Sequence, residues 1–225
     1  MIKMRLTEAH VQRIASEADS LIKELSSLDA LKLSSLDKNR TAAVFVDIIN
    51  GFIREGAMSD SRIAEIIPPS AEILKSCNAS GIMTIAFADC HEKDAAEFSA
   101  FPPHCIAGTS ESEIAEELKE IGGYILIPKN STNGFHEEKF RKLLESRPEI
   151  DTFIVTGDCT DICVLQFCLA LKTCFTQKNR TVNIIIPTDC IETYDAPYHS
   201  SDFANLAAYK LLKDSGITFV SSITD

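Results

Sequence analysis

Apolar positions along the chain fall into two regimes. Up to residue 40 they recur near helical spacing among charges, with Leu6, Ile14, Leu21, Ile22 and Leu25 as the repeating positions, and predict one or two amphipathic helices. From Thr41 onward, short β-branched runs alternate with helix-length patterns. The runs at 42–46, 82–88, 124–128, 152–156, 182–187 and 218–221 read as six buried strands. The segments 111–121, 136–146, 163–174 and 200–215 read as helices. The first of these follows Thr109 and Ser110, carries acidic residues in its first turn and stops at Gly122-Gly123; Gly216 stops the last. Right-handed crossovers on both faces of such a strand series give an α/β fold, a three-layer αβα sandwich around a six-stranded, mainly parallel, Rossmann-like sheet, plus N-terminal helices. The expected division is a helical extension over 1–40, which packs or oligomerises, and one α/β domain over 41–225.

Composition narrows the function classes. The 225 residues are 45% hydrophobic and carry 33 acidic against 22 basic side chains, a net charge of −11, which argues against a nucleic-acid or anionic-membrane partner. No apolar run approaches the roughly 20 residues of a bilayer span, and the N-terminal segment lacks a continuous hydrophobic stretch of the secretory type. Eight cysteines without paired CxxC spacing, most of them inside apolar runs, fit a reduced, cytoplasmic protein. A chain this long buries a sizeable core unaided, so a bound metal would serve chemistry.

In open parallel sheets, ligands bind beyond the carboxyl ends of the strands. Here the first strand ends at Asp47, the second runs into Asp89-Cys90-His91, the third into Lys129, and the fourth into the stretch 157–163 that ends at Cys163. Each residue alone has a bland reading: Asp47 as a turn former, Lys129 as a solvated loop residue, Cys163 as a small core residue. Together they form a constellation for nucleophilic catalysis, with a thiolate favoured by a helix start and a nearby ammonium, and a carboxylate to take and return its proton. Asp89 and His91 lie two apart in an extended segment and point the same way, and His104 follows in a proline-stiffened loop. Two histidines and a carboxylate suit Zn²⁺, Mn²⁺ or Fe²⁺; the alternative is a pair of loop histidines.

These motifs resemble the isochorismatase-like cysteine hydrolases, and among them the nicotinamidase (pyrazinamidase) branch, over residues 41 to 225. The resemblance rests on DIINGF (47–52), PKNSTNGF (128–135), GDCTDICV (157–164), the Asp89-x-His91 pair and PHCIAGT (103–109). It implies an Asp47, Lys129, Cys163 catalytic triad, an oxyanion hole of the Cys159 and Cys163 backbone N–H groups, and a non-proline cis peptide between Asp158 and Cys159. It also implies one divalent transition metal, zinc first with manganese or iron as alternatives, on Asp89, His91, His104 and Glu97, and a pyridine ring held between Phe52 and Phe101. The expected reaction is hydrolysis of nicotinamide to nicotinate and ammonia through a thioester, in NAD salvage, by a homo-oligomer. Hydrolysis of another small amide or ureido compound, and a non-catalytic binding module, are the competing readings. Departures from the family pattern are Ile49 and Gly51 in place of Gln and Asp, Asp158 in place of an apolar residue, Cys159 in place of Ala, and Phe101 in place of a frequent Trp.

Overall fold

A computed structural model of the chain describes residues 7–225; the expectation for Leu6 lies outside the described residues. The strands are β1 (Leu31–Lys32), β2 (Thr41–Val46), β3 (Met83–Asp89), β4 (Ile125–Lys129), β5 (Thr152–Gly157), β6 (Asn183–Pro187), β7 (Thr218–Val220) and β8 (Ile223–Thr224). The helices are α1 (Glu8–Leu25), α2 (Asn50–Ile53), α3 (Ile67–Ser80), α4 (Glu116–Ile121), α5 (Glu138–Ser146), α6 (Leu165–Gln177) and α7 (Ser201–Asp214). Each of the six long-range strands lies within a residue or so of the run that predicts it. Continuous β-branched runs are what a strand covered on both faces requires.

The six strands form one parallel sheet in the order β4-β3-β2-β5-β6-β7. The chain builds outward from β2 to one edge and then returns to β5 to build the other, so the topological switch lies between β2 and β5. Side chains alternate across the sheet with period two. Ala42, Val44, Val46, Ile85, Phe87, Phe153 and Val155 pack on one face with α5, α6, α7 and Leu21 of α1. Ala43, Phe45, Ala86, Ala88 and Ile154 pack on the other with α2, α3 and α4. The result is the three-layer αβα sandwich. Among the described residues, no helix is long and apolar enough to cross a membrane.

The switch point needs a glycine. Gly157 closes β5 at φ +121°, and a Cβ there would sit 1.9 Å from the Val46 carbonyl oxygen of β2. Only a residue without a side chain lets the two central strands run this close as the chain leaves for the next turn.

Four local expectations are corrected. The sequence pattern gave no helix between the first two strands, yet α3 is the crossover there. Its two prolines, Pro68 and Pro69, fall in the first turn, where backbone N–H groups lack intrahelical acceptors anyway, and Gly81 caps its end in the left-handed conformation. The predicted 111–121 helix starts only at Glu116, because Ile114 bridges Ile49 and the Ala115 N–H donates to the Ile48 carbonyl. Cys163 does not open α6; it lies inside a π-helical turn, Thr160–Val164, that precedes it. Among the described residues the N-terminal segment forms one α-helix, α1, as expected, but its continuation is not purely helical: it enters β1, which pairs in parallel with β8.

Candidate active site

Asp47 leaves β2 at φ +54°, a left-handed conformation that Asp tolerates better than most residues. Its own N–H still donates to the Phe87 carbonyl of β3 at 3.1 Å, while its Oδ1 accepts the Asp89 N–H at 3.0 Å. The carboxylate is thereby pinned between the ends of β2 and β3. Lys129, the last residue of β4, reaches across β3 with its ammonium fully buried. Its Nζ lies 2.8 Å from Asp47 Oδ2 and donates to Asp89 Oδ1, to the Ser131 carbonyl at 3.1 Å and to Cys163 Sγ at 3.7 Å. Cys163 is 4% exposed, and its sulfur, one Asp47 oxygen and one Asp89 oxygen all lie within 4.8 Å of one another.

The electrostatics of this cluster follow from burial and one cation. Burial pushes the Asp47 carboxyl up; Lys129 pulls it back and Asp89 adds repulsion, leaving it at about 6. Burial would likewise lift Asp89, but Lys129, His104 and His91 overcome it and hold that carboxylate well below its usual range. Burial opposes the charge on Lys129, yet Asp47 and Asp89 outweigh it and keep the ammonium protonated far into the alkaline range. For Cys163, burial raises the thiol well above its ordinary value, Lys129 works against that, and Asp47 and Asp89 reinforce it. Burial and the two carboxylates thus favour the thiol form of Cys163, against the pull of Lys129 toward the thiolate. Asp158 is buried with no partner for Oδ2, and burial together with Asp47 raises its carboxyl well above its ordinary value. The Asp158–Cys159 peptide is cis.

Beside the triad stands a cage of donors. Asp89, His91, Glu97 and His104 each offer one ligand atom, all within 4.8 Å of one another. His104 Nδ1 donates to the Pro102 carbonyl at 2.8 Å and His91 Nδ1 faces Asn130 Oδ1 at 3.2 Å, so both Nε2 atoms present lone pairs inward. Those Nε2 atoms lie 3.5 and 3.6 Å from Asp89 Oδ2 and 3.7 and 3.8 Å from Glu97 Oε1. These gaps are too long for good hydrogen bonds but close to the edge of about 3.4 Å of a tetrahedron with metal–ligand distances of about 2.1 Å. His91 Nε2 is buried without any hydrogen-bond partner. Burial opposes protonation of His91 and the Asp89 and Glu97 carboxylates outweigh it; the same two carboxylates would draw a cation toward the histidine nitrogens. The residues present fit a divalent cation.

The two clusters share a cavity of about 20 Å³, partly open to solvent, with room as packed for little more than a water molecule. Phe52, Phe101, Met58 and Ile162 wall it; Asp89, Glu97 and His104 reach it from the cage, and Cys159 and Cys163 from the start and interior of the π-helical turn. Phe52 and Phe101 lie 5.6 and 6.3 Å from the His104 ring, centroid to centroid. The structure therefore gathers every residue singled out in the sequence, with Asp47, Lys129 and His91 buried behind the cavity wall. Sequence reasoning missed Phe98, edge-on to both His91 and His104 at 5.3 and 5.6 Å, Thr132, whose N–H fixes Glu97 Oε2 at 2.9 Å, and Asn130 and Met58. Only Asn130 carried a signal, standing next to Lys129 at a strand end.

Comparison with known proteins places this geometry in a family. Nicotinamidase 1 of Arabidopsis thaliana is 30% identical over 177 residues, covering 69% of this chain and 70% of the relative. The fold matches N-carbamoylsarcosine amidase from Thermoplasma acidophilum with a TM-score of 0.66 at 22% identity, over 80% of this chain and 95% of that one. It matches the pyrazinamidase of Pyrococcus horikoshii, solved in complex with zinc, with a TM-score of 0.67 at 21% identity, over 80% and 98%. Residues 41–215, from the first long strand through the last helix, match the isochorismatase domain, and the chain belongs to that family.

Proposed function

We propose that the chain is a metal-assisted cysteine amidohydrolase that converts nicotinamide to nicotinate and ammonia, a salvage step toward pyridine nucleotides. The observation that carries this reading is the one cavity onto which the Cys163 thiol, three of the four cage residues and two aromatic walls converge, with Asp47, Lys129 and His91 directly behind it. Similarity to the plant nicotinamidase supports the choice of substrate.

In this mechanism Asp47 accepts the Cys163 proton while Lys129 stabilises the sulfur as it becomes anionic. The thiolate attacks the carboxamide carbon, and the backbone N–H groups of Cys159 and Cys163 donate to the oxygen as charge develops on it. Asp47 returns the proton to the departing nitrogen and ammonia leaves. Asp47 then takes a proton from water, which cleaves the thioester to the acid and restores the thiol. Asp89, His91, Glu97 and His104 would hold the divalent metal, zinc in the first instance, which when bound supplies a Lewis-acid anchor for a ring nitrogen. Phe52 and Phe101 wall a cavity that holds little more than a water molecule as packed, so they must part to admit the flat ring and then orient it from both sides.

The test is ammonia release from nicotinamide, pyrazinamide, benzamide and N-carbamoyl amino acids. Preference for nicotinamide over benzamide, which lacks the ring nitrogen, supports the reading. Preference for an N-carbamoyl compound replaces it with a ureido hydrolase on the same scaffold.

A further inference from the structure

Glu111 belongs to neither the triad nor the cage, yet its carboxylate is built into the backbone that carries both cage histidines. Its Oε2 accepts the Cys105 N–H at 2.8 Å. That N–H belongs to the peptide linking His104 to Cys105, so the bond fixes the plane from which the His104 side chain departs. Cys105 is fully buried at φ +45°, an unfavourable conformation for a residue other than glycine that surrounding contacts must maintain. The Cys105 carbonyl accepts the His91 N–H at 2.9 Å, and the His91 carbonyl accepts the Ala107 N–H at 2.9 Å. One residue, held on its N–H side by Glu111, thus spaces the two histidines.

Two glycines make room for this arrangement. A Cβ on Gly51 would lie 2.5 Å from Cys105 Sγ and 2.9 Å from the Glu111 carbonyl oxygen, and one on Gly56, at φ +92°, would lie 2.7 Å from Glu111 Oε2. Gly51 stands where the resembled motif has an acid. In this chain that slot is closed to a side chain, and the carboxylate beside Cys105 comes from Glu111.

We infer that Glu111 is a positioning residue for the metal cage, acting through the His104–Cys105 peptide. The inference rests on the reading of Asp89, His91, Glu97 and His104 as metal ligands. A partner that orients a ligand in this way is worth about 10- to 100-fold in metal affinity.

The full-length protein, stripped with chelator, is titrated with Zn²⁺ against a chromophoric competitor, and with Co²⁺ while its visible absorption is recorded. Glu111→Ala is expected to weaken Zn²⁺ about 10- to 100-fold and to alter the Co²⁺ spectrum. Glu111→Gln, whose amide oxygen still accepts the Cys105 N–H, is expected to stay within about threefold of wild type and keep its spectrum. Near-ultraviolet circular dichroism and the urea midpoint separate loss of metal from loss of fold. Wild-type affinity in Glu111→Ala, or equal weakening in both variants, overturns the positioning role while leaving the cage intact. Failure of the wild-type protein itself to bind either metal overturns the cage reading, and the inference with it.

Discussion

Asp89 and Lys129 join the two halves of the site through one carboxylate. Oδ1 of Asp89 accepts from the Lys129 ammonium, while Oδ2 faces both inward-pointing histidine nitrogens. The same Lys129 touches Asp47 and Cys163. A cation in the cage and the proton inventory of the nucleophile are therefore electrostatically linked.

Asp89→Asn is expected to weaken Zn²⁺ at least about 10-fold and to lower turnover even at saturating metal, because Lys129 loses a counter-charge as well. Removing a ligand that does not touch Lys129, as in His104→Ala, is expected to be rescued further by excess Zn²⁺. Metal titration with turnover measured at each point distinguishes the two patterns.

Cys163→Ala is expected to abolish ammonia release while the protein stays folded, since the thiol contributes little that alanine does not to the packing around it. Cys159→Ala, which keeps the backbone N–H, is expected to retain activity within about 10-fold. Activity in Cys163→Ala would remove the thioester step.

The acid limb of the pH profile should report Asp47. Its carboxyl must be ionised to accept the thiol proton, so kcat/KM is expected to fall as pH drops through about 6. Lys129 holds that carboxyl down, so Lys129→Met is expected to move the limb to higher pH and to lower turnover at least about 100-fold. A limb that stays in place in the variant would argue against Asp47 as the group observed.

Phe52→Ala is expected to raise KM for nicotinamide about three- to tenfold, the range that an aromatic stacking contact of about 0.5–1.5 kcal/mol supplies. Its effect on an aliphatic amide should be smaller. Equal effects on both substrates would mean that the ring only fills space.

Gly157→Ala tests the architecture without touching chemistry directly. Since the added Cβ meets the Val46 carbonyl at 1.9 Å, neither strand can yield without breaking sheet bonds, and a loss of at least about 3 kcal/mol is expected. Thermal unfolding would show this as a midpoint lowered by about 6 to 12 °C, or as insoluble protein.

What the sequence reveals here is what local chemistry encodes. The six strands are legible because buried parallel strands must be apolar throughout, and Asp47, Lys129 and Cys163 because the strand-end rule gathers residues far apart in the chain. α3 was hidden by Pro68-Pro69, which reads as a break unless it falls in a first turn. The late start of α4 depends on Ile114 and Ala115 pairing with Ile49 and Ile48, a contact between distant segments that leaves no local trace. The proton transfer from Cys163 to a carboxylate was legible, but the strength with which burial, Asp47 and Asp89 raise the thiol was not, because helix position is local whereas burial is not. Phe98 and Thr132 support the cage through the path of the loops, which no spacing rule describes.

The burial of Cys163 also bears on how the protein ages. Peroxides attack accessible thiolates, and a sulfur that is 4% exposed and whose ionisation burial opposes offers them little to attack. All eight cysteines are free, and of these Cys90 and Cys174 are the ones that reach the surface even in part. Oxidative wear should therefore collect at those two positions, away from Cys163.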